Sequence, residues 1–222
     1  MGPPISAREC TPVTEEQQKG GPAADLAPCW SCHGSVDQRA SFCHGCGTIQ
    51  PPRPVDHFSR LGLSQSFDLD TDQVERNYFS FQRHFHPDRF ATRPAREKQL
   101  SLQHATDLNE AYGILMAPLS RAESLLALKG APLEDEGAAN RDPELLMEAM
   151  EAREALAGAA NSEDVEAIDA QSRQACDGCI EKISQAFADD DLAAAQRHCL
   201  RLRFLAKLGE EIRRRKGELA RT

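Results

Sequence analysis

Two pairs of cysteines, Cys29-x-x-Cys32 and Cys43-x-x-Cys46, stand ten residues apart and offer four thiolates to a single ion. A closed, soft, all-sulfur donor set of this kind suits zinc held tetrahedrally in a structural role. Gly34, Gly45 and Gly47 lie in or beside the ligand loops, where backbone freedom is useful. A module of about 25 residues with almost no core would take its folding energy from the metal. One structural zinc on Cys29, Cys32, Cys43 and Cys46 is therefore expected. The same residues also admit a redox dithiol, a disulfide pair or a rubredoxin-type iron centre, and His33 and His44 read as bystanders. Disulfides are disfavoured in a chain that shows no secretory signal.

The second constellation is His86-Pro87-Asp88. Asp70, followed three residues later by Gln73, opens a helix, and Val74, Tyr78, Phe81 and Phe85 then recur at helical spacing. Pro87 lacks a backbone N–H and disfavours helical geometry at His86, so the helix over 71–85 stops there. Leu108, Ala111, Tyr112 and Leu115 give a second helix, about 95–116, an apolar stripe to lay against the first. The pattern predicts an antiparallel pair with the tripeptide in its connecting loop, although proline and aspartate also serve as ordinary turn residues. Between Arg76 and Lys98 six Lys/Arg face two acids, Asp88 and Glu97, in a chain of net charge −9. A basic face on an acidic protein suits an acidic protein partner.

These residues need elements to position them, and composition favours helices. The chain has 222 residues, 40% apolar and 27% charged, with one Trp and two Tyr. That is room for one large or two small domains, with too few strand-formers for a large sheet. No apolar run approaches the roughly 20 residues of a membrane span, and pI 5.3 argues against bulk binding to nucleic acid. Residues 1–27, rich in Pro and Gly, read as a disordered tail and as neither a secretory signal nor a transit peptide. After Pro118 a short helix (about 119–129) leads into a Gly/Pro/Asp-rich linker (130–143). Helical runs over about 143–158, 162–188 and 191–219 then predict a three-helix bundle. Leu145, Ala149, Ala152 and Leu156 fall on one core stripe, with Leu146 and Met150 outside it. Cys199, Leu202 and Leu205 face inward on the last helix, with Leu200, Phe204 and Leu208 to one side. This surplus apolar surface would either pack against the preceding domain or form a binding patch. Cys176 and Cys179, three apart on one helix, read as ordinary helix or core residues.

The segment Phe58-x-x-Leu61-Gly62-Leu63, His86-Pro87-Asp88 and Asn109-x-Ala111-Tyr112-x-x-Leu115 resembles the J-domain of DnaJ-like co-chaperones. Further signatures follow in order: Pro118-Leu119-Ser120-Arg121-Ala122-Glu123-x-Leu125-Leu126, Leu145-Leu146-Met147-Glu148-x-Met150-Glu151-x-Arg153-Glu154, and Leu202-Arg203-Phe204-Leu205-x-Lys207-Leu208. With these, residues 55–222 resemble the HscB family of J-domain co-chaperones of iron–sulfur cluster assembly. The cysteine module resembles the zinc domain that some members carry.

The resemblance implies an all-α fold: a J-domain helical hairpin (55–118), a connecting helix and linker (119–142) and a C-terminal three-helix bundle (143–222), preceded by the zinc module (28–54). It implies that Arg83, His86, Pro87, Asp88 and Arg89 engage an HscA/DnaK-type ATPase chaperone and stimulate ATP hydrolysis. Leu146, Met150, Glu151, Glu154 and Phe204 would hold an IscU-type iron–sulfur scaffold, with Met150 standing where leucine is expected. Such a protein is an adaptor without an active site of its own, free of nucleic-acid and membrane partners, with homodimerisation left open. The bacterial cytoplasm is the expected compartment and the mitochondrial matrix the alternative. A general protein-folding J-protein is disfavoured by the missing Cys-x-x-Cys-x-Gly-x-Gly repeats and Gly/Phe-rich linker; a zinc/thiol redox protein is the alternative from another class.

Overall fold

The computed structural model describes residues 26–133 and 143–220. They fall into two compact units that divide between Arg53 and Pro54.

In the first unit, strand β1 (Leu26–Pro28) pairs antiparallel with β2 (Ser35–Asp37), Ala27 opposite Val36. An isolated bridge joins Phe42 to Ile49. The expected tail over 1–27 is thus corrected at its end: Leu26 and Ala27 belong to the hairpin, while residues 1–25 lie outside the described residues. Two three-residue strands carry too little periodicity to be read from sequence. The core cluster of this unit is Cys29, Val36 and Cys43 with Ala40 packed against it, and Ile49 is fully buried as well.

The second unit is helical. A single turn, α1 (His57–Arg60), is capped by the Asp56 carboxylate, which accepts the Ser59 N–H. Helix α2 (Thr71–Phe85) is capped by Asp70 and ends at His86, whose ψ of 128° is the extended geometry that a following proline imposes. Pro87–Phe90 form one 3-10 turn before α3 (Ala95–Met116). Val74, Phe85, Leu108, Ala111 and Leu115 are buried between α2 and α3, as their spacing predicts. Tyr78 stacks on Tyr112 with ring centres 4.3 Å apart, and its hydroxyl donates to Asn109 Oδ1 at 2.8 Å. The Asn109-x-Ala111-Tyr112 motif therefore fastens the hairpin.

Helix α4 (Pro118–Leu128) starts on its proline, one residue before the expected start, because a missing N–H costs nothing in the first turn. The linker residues 134–142 lie outside the described residues. Helices α5 (Pro143–Gly158), α6 (Ser162–Ala188) and α7 (Leu192–Leu219) make the bundle, with Asn161 and Asp191 as N-caps of the last two. Leu145, Ala149, Leu156, Cys179, Cys199, Leu202 and Leu205 are buried, and Cys176 is half-buried.

Hairpin and bundle share one compact unit, and several bonds fasten them. Phe67, in the α1–α2 loop, stacks on Phe187 of α6 at 5.5 Å. The buried Arg121 guanidinium lies 5.3 Å from the Phe67 ring centre and donates to the Phe67 carbonyl at 3.0 Å. Ser184 donates to Asp68 at 2.7 Å, and Arg203 pairs with Glu123 at 2.7 Å. Helix α7 runs against α4, α5 and α6, and Phe204 and Leu208 of its surplus apolar stripe are buried.

Candidate functional site

The four cysteines come together as their spacing predicts. Their sulfurs all lie within 4.8 Å of one another, and Cys29–Cys46 and Cys32–Cys43 are each 3.7 Å apart. A tetrahedron with zinc–sulfur bonds of about 2.3 Å has its sulfurs roughly 3.8 Å apart, so the cluster is the size of an S4 metal site. The two ligand loops share one backbone design. His33 N–H donates to Cys29 C=O at 3.0 Å and Cys29 N–H to Gly34 C=O at 2.8 Å; Gly47 N–H donates to Cys43 C=O and Cys43 N–H to Thr48 C=O, both at 2.9 Å. In each loop the residue after the second cysteine is left-handed, His33 with φ 60° and Gly47 with φ 73°. The expected freedom of three glycines is thereby narrowed: only Gly47 uses it, while Gly34 and Gly45 leave room beside the sulfurs of Cys32 and Cys43.

Crowding four thiols is electrostatically uneven. The Cys29 thiol is lowered to about 6, first by the Cys32 backbone N–H and then, against burial, by that of Ser31. At Cys32 the Gly34 N–H favours the thiolate, but the sulfurs of Cys46 and Cys43 outweigh it and push the group up to about 11. Like charges within such a space cannot all form without a cation, so the donor set fits a divalent metal ion. Among the described residues no other group of three or more His, Cys, Asp or Glu is placed to hold one.

The loop tip is built differently. Buried Phe85 and Phe90 anchor its two ends. His104 of α3 stacks on Phe85 at 4.2 Å, and Ser101 donates to the Phe85 carbonyl at 2.7 Å. His86 Nδ1 accepts the Asp88 N–H at 3.3 Å, and the Asp88 side chain is 90% exposed. Arg89 donates to the Arg83 carbonyl at 2.8 Å, filling a C-terminal acceptor of α2. Arg83, Arg89, Arg93, Arg96 and Lys98 are all exposed. The tip thus presents one exposed carboxylate, 3.6 Å from His86 Nδ1, among cations on a rigid base.

On α5, Leu146 is 43% exposed and Met150 63%, with Glu151 and Glu154 exposed beside them. Met147, also 63% exposed, completes the apolar face. Sequence reasoning passed over it, although its spacing from Met150 puts both on one side of a helix. Phe204 is 8% exposed and offers little area of its own. Glu148 and Arg201 pair at 2.6 Å between α5 and α7, holding the helix that carries the face.

Residues 141–213 match the family model for the HSCB C-terminal oligomerisation domain. The human iron–sulfur cluster co-chaperone protein HscB is 33% identical over 192 residues, covering 85% of this chain and 82% of that protein. This chain belongs to the HscB family of co-chaperones. The HscB homologue of Aeromonas salmonicida is 39% identical over 166 residues, 72% of this chain and 95% of its own. The crystal structure of human HscB superposes with a TM-score of 0.81 at 32% identity, over 86% of this chain and 98% of that one. The human HscB alignment is longer than the helical unit from Pro54 to Thr222, so it extends into the cysteine module. Among the described residues no helix is long and apolar enough to cross a membrane.

Proposed function

We propose that this co-chaperone joins an IscU-type iron–sulfur scaffold to an HscA/DnaK-type ATPase chaperone and stimulates ATP hydrolysis so that the cluster passes on. The observation that carries the reading is the pairing, within one compact unit, of an exposed Asp88 carboxylate flanked by exposed arginines with an exposed Leu146/Met147/Met150 face flanked by Glu151 and Glu154. Asp88 supplies a charge-assisted hydrogen bond to the chaperone, with Arg83 and Arg89 as complementary charge. The α5 face binds the scaffold through apolar contacts, and methionine at 150 preserves contact because it is soft and adaptable. Phe204 lends at most its exposed edge and otherwise supports α7. The adaptor performs no bond chemistry itself. The metal in the cysteine module is one zinc ion with a structural role, because a closed tetrahedral thiolate site keeps no open position for chemistry.

Steady-state ATP hydrolysis by the cognate chaperone tests the reading. Asp88→Ala abolishes stimulation and leaves scaffold affinity unchanged, while Met150→Asp weakens scaffold binding and leaves basal stimulation intact. Stimulation by the wild type that is indifferent to scaffold points instead to a general J-protein, and loss of both functions in Asp88→Ala sinks the two-surface reading.

A further inference from the structure

We propose that Gln50 is a positioning residue of the metal centre, a buried outer-sphere donor that orients the Cys29 thiolate and ties the two ligand loops together. Gln50 is only 8% exposed. Its Nε2 lies 3.4 Å from Cys29 Sγ and 2.9 Å from the Thr48 carbonyl oxygen. Both partners are acceptors when Cys29 is ionised, so the amide must point its NH2 group at them; the flipped rotamer would set Oε1 against two electron-rich atoms. An amide that spends both N–H bonds this way is matched to a thiolate, the form that a metal holds.

The placement is also architectural. The Thr48 carbonyl already accepts the Cys43 N–H at 2.9 Å, closing the second ligand loop. Gln50 therefore links the first cysteine of one loop to the closing carbonyl of the other. Its backbone N–H is anchored to the Ser41 carbonyl at 2.9 Å. The neighbouring Ile49 carbonyl accepts the Trp30 indole N–H at 2.7 Å, a second tie across the same seam. A further donor to the same sulfur, the Ser31 N–H, reaches Cys29 Sγ from its own loop at 3.4 Å. Cys29 is thus the fixed, fully buried sulfur of the centre, whereas Cys32 and Cys46 are exposed. Outer-sphere partners of this sort commonly carry 10–100-fold in metal affinity.

The inference rests on the cysteines being a metal site, and one experiment separates the two claims. The full chain is loaded with cobalt(II), and the thiolate-to-cobalt charge-transfer band is recorded for wild type, Gln50→Glu and Gln50→Met; zinc affinity is measured by chelator competition. Gln50→Glu keeps the shape and removes the donor, and Gln50→Met keeps the length without any polar atom. A charge-transfer band in the wild type establishes the metal site irrespective of the variants, and its absence defeats that reading. Given the band, the expected result is a shift to longer wavelength in both variants, because a sulfur deprived of an N–H donor gives up charge more readily. Zinc affinity falls 10–100-fold with it. An unmoved band and wild-type zinc affinity in both variants overturn the role of Gln50 and leave the metal site standing.

Discussion

The cysteine module and the helical unit solve the problem of staying folded in opposite ways. The module buries two cysteines, Val36 and Ile49, with Ala40 packed at the edge, so burial of apolar surface contributes little and the sulfur cluster must hold its loops. The helical unit buries Phe58, Leu61, Val74, Leu108, Leu115, Leu126, Ile183 and Ile212 almost completely, and its long helices need no ion. Metal chemistry and helix packing thus sit on one chain with separate sources of stability.

Removing the metal should break this comparison open with the largest effect. Structural zinc contributes about 10–16 kcal/mol to small thiolate modules, more than the whole stability of a typical domain. A strong chelator, or Cys43→Ser, should unfold the module and leave the helices standing. Trp30 is the only tryptophan in the chain and lies in the module, so its fluorescence reports that unit alone. We expect its emission to move to longer wavelength while far-ultraviolet circular dichroism keeps its helical amplitude.

The converse change is smaller. Leu108→Ala empties a position that is 2% exposed at the centre of the hairpin and should cost about 2–5 kcal/mol through lost burial and a residual cavity. The helical melting transition falls, and Trp30 emission at low temperature stays unchanged. Movement of both signals together would show that the two units fold as one.

What was legible in the sequence divides along the same line. Helices with clear stops and caps were read to within a residue: Pro87 ends α2, and Asn161 and Asp191 open α6 and α7. The thiolate cluster was equally plain, because its spacing alone brings the ligands together. Features that depend on a third element were not. The burial of Phe204 depends on how α7 packs against its neighbouring helices, which its own spacing cannot announce. The pairing of Leu26–Pro28 with β2 has too few residues to make a pattern, and no spacing marks Gln50 as a partner of Cys29. The exposure of Met147 needed the observed rotation of α5 against α6 and α7.

The smallest predicted effect sharpens the comparison from inside the module. Its two loops have the same hydrogen bonds, yet one puts glycine in the left-handed position and the other puts His33 there, at φ 60°. A β-carbon in that geometry costs roughly 1–2 kcal/mol, partly offset because glycine is freer in the unfolded chain. The His33 side chain is exposed, so replacing it forfeits little packing. His33→Gly should therefore stabilise the loaded module by about 0.5–1 kcal/mol. Chelator competition should then show zinc held roughly two- to fivefold more tightly. The helical melting temperature should not move. A weaker grip on zinc in His33→Gly would mean that the imidazole supports the centre directly, and the two loops would then be alike in backbone only.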